Sequence, residues 1–531
     1  MNSDHRGLRM KSCLCAVTAL CLLLPGRAPA WQEPDLPPWA VDIFIHGGLL
    51  VDGTGTEPVR TDMAIDDGRI AWLGTIDPAI VSARQVIDAS GLVIAPGFID
   101  AHSHGDPFAT PDFENFLAMG VTTITLGQDG SHPGGADIAG WLDRVDDLAP
   151  GVNIALFAGH GTVRSLAGVE LGFDPTLEQL ETMEGWVEKA MLEGCFGLST
   201  GLEYRPGIFA GADELTAVAR PVGVHRGIVM SHMRSEDDPV IEESLAELIA
   251  QGRAGACGVH VSHIKIVYGH GSDRAGEILA LMEQARRDGV AVTADIYPYN
   301  ASFTTIGIVF PDWAKPPADY DEVVAQRREE LAAQLRLTVA RRNGPGATLL
   351  ATEPWRGRTL AEIAEELGKP FEDVLIDDIG PGGASAAYFV MDPELQQTLL
   401  LDDHVMISTD GSPGMHHPRG YGAFARVIRE YVVEKELLSL EKAVWKMSGL
   451  PARTLGLTRE RRGLLQPGWA ADVVLFDPVR VRDTADFTAP HRLAEGFAYV
   501  IVNGVVTRTA DGLTGQRAGR ALRHHRQNIW R

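Results

Sequence analysis

The sequence predicts an α/β protein: a closed (β/α)8 barrel of the TIM type, with a small β-sandwich domain formed by both chain ends. Three observations carry this expectation. From Gly97 to about residue 410, short apolar runs alternate with amphipathic stretches such as Leu177 to Glu193, Pro239 to Gln251 and Gly276 to Arg287. Repeated βα units of this kind imply a parallel sheet covered on both faces. About eight such apolar runs recur, which fits a closed barrel better than an open sheet. Finally, both ends of the chain lack this rhythm and read as hairpins.

The first hairpin region runs from Val41 to Ile99. Asp52-Gly53 and Asp67-Gly68 are turn signals between the apolar runs Leu49 to Val51, Met63 to Ile65 and Ile70 to Leu73. The strand-like runs of the barrel follow at Gly97 to Ile99, Val121 to Leu126, Ile154 to Ala158, Phe196 to Ser199, Gly227 to Ser231, Val259 to His263, Val290 to Asp295 and Val405 to Thr409. Phe303 to Gly380 breaks the pattern with charged helical pieces, Pro and Gly. It reads as an insertion between two late strands, where extra segments shape pockets or lids. Gly463 to Leu465, Ala471 to Asp477 and Phe497 to Val506 turn β again. The expected division is residues 1–30 as a leader, 41–96 with 457–510 as the discontinuous β domain, and 97–456 as the barrel, with its insertion at about 303–380. The arginine-rich tail after Gly512 is expected to be only loosely ordered.

Composition excludes several classes. The formal net charge of −24 over 531 residues argues against nucleic-acid or anionic-membrane partners, which need basic surface. No glycine-rich phosphate loop is present. Arg6, Arg9 and Lys11 precede the apolar run Cys13 to Leu24 and the small-x-small site Ala28-Pro29-Ala30. That order reads as a cleavable signal peptide and predicts a periplasmic or secreted protein, with no membrane attachment after cleavage. The mature chain then keeps only Cys195 and Cys257, either paired or as two thiols.

Chemistry concentrates at strand ends. His102 and His104 are one residue apart at the end of the strand-like stretch Gly97 to His104, and residues i and i+2 of a strand share a side. Asp129 follows the second run, His232 and His263 end two later ones, and Asp410 follows Val405 to Ser408. In a (β/α)8 barrel these ends converge on one site. Four histidines and two aspartates match the ligand set of zinc or a similar divalent ion. His160 in Gly159-His160-Gly161-Thr162 is expected to border the pocket, and His416 and His417 to lie on its rim.

The chain resembles the amidohydrolase superfamily and, within it, the N-acyl-D-amino-acid deacylase (D-aminoacylase) family. The resemblance spans nearly all of the mature chain. It rests on Pro96 to His104, Gly197-Leu198-Ser199-Thr200-Gly201-Leu202-Glu203-Tyr204, Ser231-His232-Met233-Arg234, Ser262-His263-Ile264-Lys265, Tyr297-Pro298-Tyr299, Ser408 to Gly411 and His417-Pro418-Arg419-Gly420-Tyr421-Gly422. It implies a metal-dependent hydrolase of C–N bonds with one or two Zn2+ ions. His102 and His104 resemble the ligands of one ion, and His232 and His263 those of a tightly held zinc. Asp410 resembles the catalytic aspartate, acting as general base and acid. Tyr204, Lys265, Tyr297 and Arg419 resemble the groups that hold a substrate carboxylate. The implied substrate is a small N-acyl-D-amino acid. A dipeptidase or cyclic-amide hydrolase of the same superfamily is the alternative, with a non-catalytic metal- or ligand-binding protein behind both. One departure stands out: these deacylases commonly carry Asn-Cys-Gly after the second strand, where this chain has Gln128-Asp129-Gly130. The sequence leaves the number of metal ions, the acyl group, the side chain and the oligomeric state open.

Overall fold

The computed structural model describes residues 39–524. The leader expected at residues 1–30 lies outside them. No helix among the described residues is long and apolar enough to cross a membrane.

The barrel closes in sequence order. Its strands are Phe98–Asp100, Val121–Leu126, Asn153–Leu156 continued by Ala158–Gly159, Gly197–Gly201, Ile228–His232, Gly258–Val261, Val292–Ile296 and Val405–Ile407. Neighbours pair in parallel throughout. The third strand changes partner midway: Leu156 pairs with Leu126, and Ala158 with Leu198. The ring shuts between the last strand and the first. Ser103 bridges Gly411, and the Asp410 and His104 amides donate to His102 and Gly411 carbonyls at 2.8 Å each.

Alternation along the strands explains why the interior is solid. Ile99, Ala101, Ala155, Phe157, Phe196, Ile228, Met230 and Met406 pack together as one buried cluster. Their neighbours Val229, Val259, Val261, Ala294, Val405 and Ile407 belong to the larger core that also holds helix residues. A period of two sends successive residues to opposite faces, so several strands are apolar on both, while Gly258–Val261 and Val292–Ile296 carry His260, Thr293 and Asp295 on one face, where they bond one another.

The two chain ends form one nine-stranded sheet. Its seam is the antiparallel pairing of Val93–Pro96 with Val473–Phe476, in register from Val473 opposite Pro96. A buried polar network ties this sheet to the barrel. Asp472 accepts from Arg462 and Asn503, and Asn153 of the third barrel strand donates to Asp472 at 3.2 Å.

Two sequence expectations change here. The insertion extends past residue 380 to Tyr388, because Ser385–Tyr388 is the middle strand of a small antiparallel sheet with Ser302–Thr305 and Thr348–Leu350. The tail is ordered through His524. Ala521 and Leu522 pair with Ile154 and Ala155, and Arg523 binds Asp143 at 2.7 Å and Asp146 at 2.6 Å. Arg523 is thus held by carboxylates of the helix Ile138–Leu148, and Arg517 lies 3.7 Å from Asp112. Cys195 and Cys257 are free thiols, the first buried.

Candidate metal centre

His102, His104, Asp129, His232, His263 and Asp410 converge from five strand ends on one cavity, although His102 itself lies fully buried behind it. Three of these residues leave their strands in the left-handed region: Asp129 at φ 53°, His263 at φ 37° and Asp410 at φ 45°. That conformation costs on the order of 1–3 kcal/mol per non-glycine residue and persists only where the surroundings enforce it. The enforcement around Asp129 is visible in two glycines. A Cβ on Gly127, itself at φ 82°, would come within 2.1 Å of the Phe157 carbonyl oxygen, and one on Gly201 within 2.3 Å of the Asp129 carbonyl oxygen.

Asp129 is the hub. Its Oδ1 lies 3.5 Å from His102 Nε2, 3.8 Å from His232 Nδ1 and 3.6 Å from His263 Nε2, and its Oδ2 lies 3.3 Å from His104 Nε2. Asp410 Oδ1 lies 3.7 Å from His102 Nε2 and 3.3 Å from His104 Nε2. Burial opposes charge on Asp129, but His102 foremost, with His104 and His263, holds its carboxyl well below the usual range. Asp410 is also held down against burial, by Arg419 first and then His263.

This donor set fits a divalent ion. Both ring nitrogens of the fully buried His102, and Asp129 Oδ1, have no hydrogen-bond partner. Buried polar atoms are rarely left so. His232 Nε2 lies 2.8 Å from Glu203 Oε2, and His263 Nδ1 lies 3.0 Å from Glu236 Oε1. Giving each outer N–H to its carboxylate is the usual arrangement for a metal-binding imidazole. The inner nitrogens, His232 Nδ1 and His263 Nε2, then turn lone pairs on each other at 2.9 Å. Such a pair repels unless a cation lies beside both.

A second layer of buried groups fixes these positions. Asp100 accepts from the Thr409 amide at 3.0 Å, Thr409 Oγ1 at 2.6 Å and the His102 amide at 3.2 Å, so it clamps the first and last strands together. Burial pushes its carboxyl up to about 8, against those hydrogen bonds. Asp295 accepts from His260 Nε2 at 2.7 Å, from the His263 amide at 3.0 Å and from the Ser408 hydroxyl. Glu203, Glu236, Asp100 and Asp295 were not singled out in the sequence. Glu203 and Glu236 lie within one or four residues of expected site residues, and that proximity was the available signal. Asp100 and Asp295 end apolar strands, where a buried carboxylate has no sequence signature.

The four residues expected to hold a substrate carboxylate all line the cavity. Tyr297 Oη is buried without a partner, and Tyr204 packs its ring 4.4 Å from that of His232. The two cations are already engaged. Lys265 Nζ binds Glu236 at 2.6 Å, and Arg419 Nη1 binds Asp410 Oδ2 at 2.9 Å while its guanidinium stacks 4.6 Å over the Tyr297 ring.

Two rim assignments change. His417 is fully buried: Nε2 meets the Ala301 carbonyl at 3.1 Å, Nδ1 accepts from the Arg419 amide at 3.1 Å, and Tyr299, Phe303 and Phe487 pack on its ring. It is scaffold for Arg419, not rim, while His416 stacks on His491. His160 points away from the metal ligands to Glu214, at 2.7 Å, and borders a neighbouring cavity that also touches Asp129.

Glu236→Gln is expected to lower metal affinity about 10–100-fold, the usual effect of losing an outer partner. Equilibrium dialysis of the variant against the parent reads it; equal affinity would show that Glu236 does not orient His263.

Three comparisons bear on this arrangement. Residues 317–508 match the family model described as Amidohydrolase family. The chain is 35% identical to D-aminoacylase from Alcaligenes xylosoxydans xylosoxydans over 508 residues, 91% of this chain and 97% of that one. Its fold matches the crystal structure of N-acyl-D-glutamate deacylase from Bordetella bronchiseptica complexed with zinc and a phosphonate inhibitor. The TM-score is 0.78 at 33% identity, covering 91% of this chain and all of that one. A D-aminoacylase structure described as having a binuclear metal centre matches at TM-score 0.76 and 32% identity, covering 91% and 100% of the two chains.

Proposed function

Because the chain belongs to the N-acyl-D-amino-acid deacylase family of amidohydrolases, we propose that it hydrolyses the amide bond of N-acyl-D-amino acids. It does so with Zn2+ held by His102, His104, Asp129, His232, His263 and Asp410. The observation that carries this reading is Asp129 lying within 3.8 Å of nitrogens of four histidines, with Asp410 beside it.

An ion bound there lowers the pKa of water and polarises the scissile carbonyl. Asp410 takes the proton of the attacking water and delivers it to the leaving nitrogen. Arg419 holds Asp410 ionised and in place, from a position on the cavity wall where it also meets the substrate's α-carboxylate. Tyr297 Oη, buried and unpartnered, donates to the same carboxylate, and Tyr204 borders it. Lys265 is held by Glu236 and adds a positive field rather than a free clamp. Anchoring the carboxylate at one end and the acyl carbonyl at the other sets the handedness that is accepted. The leader expected at residues 1–30 supports action outside the cytoplasm, and the relatives' names support a small-molecule substrate.

A hydrolysis screen of N-acyl-D-amino acids, N-acyl-L-amino acids and dipeptides with zinc-reconstituted protein checks this. The D-series is expected to turn over. Cleavage of L-dipeptides with the D-series left intact would move the assignment to a dipeptidase.

A further inference from the structure

The cavity wall carries a third cation, Arg342, and it is the one with no anion. Arg342 follows the insertion helix Tyr320–Arg341 as its C-cap. It is 7% exposed, and its Nε has no hydrogen-bond partner. Its guanidinium lies 4.8 Å over the Tyr388 ring, and Nη1 meets Tyr268 Oη at 3.5 Å, a weak contact. No carboxylate among the described residues forms an ion pair with it. Asp237 lines the same cavity and feels its charge without pairing. Arg419 and Lys265, by contrast, are each bound to a protein carboxylate.

A buried, unpaired guanidinium is costly unless a ligand supplies the anion. The guanidinium fork suits a carboxylate, which it can bind through two parallel hydrogen bonds. We propose that Arg342 forms a second carboxylate subsite, so that the preferred substrate is a dicarboxylate. The second carboxylate is on the amino-acid side chain or at the far end of the acyl group. This deepens the deacylase reading and rests on it. Arg342 belongs to the insertion, which also brings Ser302, Phe303, Thr304 and Ile308 to the cavity. The barrel supplies the reaction, and the insertion selects the substrate.

The experiment compares kcat/KM for N-acetyl-D-glutamate, its side-chain amide isostere N-acetyl-D-glutamine, and N-succinyl-D-glutamine, in the parent, Arg342→Gln and Arg342→Lys. One of the two dicarboxylates is expected to exceed N-acetyl-D-glutamine by about 10–100-fold, the range of a charge-assisted hydrogen bond. Which one does so identifies the source of the second carboxylate. Arg342→Gln is expected to bring that ratio toward one, mainly through KM, and Arg342→Lys to restore part of it. Equal losses on all three substrates would mean that Arg342 only balances Asp237, and overturn the subsite. Calorimetric binding of D-glutamate, D-glutamine and succinate to the same proteins gives a readout free of turnover. If no N-acyl-D-amino acid is cleaved but D-glutamate or succinate binding still depends on Arg342, the deacylase reading fails and the subsite stands. Binding of all three that is indifferent to Arg342, together with an unchanged ratio, removes it.

Discussion

Asp410→Asn lowers kcat by about 10²–10⁴-fold, the usual contribution of a positioned proton carrier, while most of the metal is retained; the thermal transition falls, because buried Arg419 loses its anion. The asparagine keeps the shape and an oxygen at the position of Oδ1, 3.3 Å from His104 Nε2. It cannot accept the water proton. It also gives up the charge that pairs with Arg419 at 2.9 Å. The loss is therefore expected in kcat more than in metal binding. Steady-state kinetics beside metal analysis of the purified variant separates the two. Full activity in the variant would remove Asp410 from the proton path.

The second large effect belongs to Asp129. Asp129→Ala is expected to reduce metal content by more than the roughly 10–100-fold that loss of an outer partner costs, with activity falling alongside. The reason is geometric. Asp129 is the single anion within 3.8 Å of nitrogens from His102, His104, His232 and His263. Without it, Asp410 is the one carboxylate left beside His102 and His104, and Glu203 and Glu236 face the outer nitrogens of His232 and His263. Undiminished metal and activity would show that Asp129 is not a ligand. Asp129→Cys keeps an anionic donor, and it is expected to shift the metal preference toward softer ions, because thiolate is the softer ligand. Competition between zinc and cadmium, read by metal analysis, reports that shift.

Much of the centre was legible in the chain because barrel strands put their last residues at one place. His102 and His104 by spacing, and His232, His263, Asp129 and Asp410 by following apolar runs, all reach the same cavity or its floor. The residues that orient them were not legible. Glu203 and Glu236 act through hydrogen bonds to His232 and His263 whose partners are 29 and 27 positions away. Such pairing has no local period. His417 was expected on the rim, yet it is fully buried and packs against Phe487, from far along the chain.

The sequence by itself determined the βα rhythm, the β-rich ends and the strand-end ligands, since these depend on periods of two and 3.6 residues and on turn chemistry within a few positions. Only the tertiary structure decided which charges are spent and which are free. Arg419 and Lys265 are paired with Asp410 and Glu236, whereas Arg342, unremarkable in a helical run of arginines, is buried at the cavity without a carboxylate partner. Ion pairing falls off over a few ångströms in space and takes no account of distance along the chain. The balance of charge at the site is set by how the insertion and the barrel strands come together.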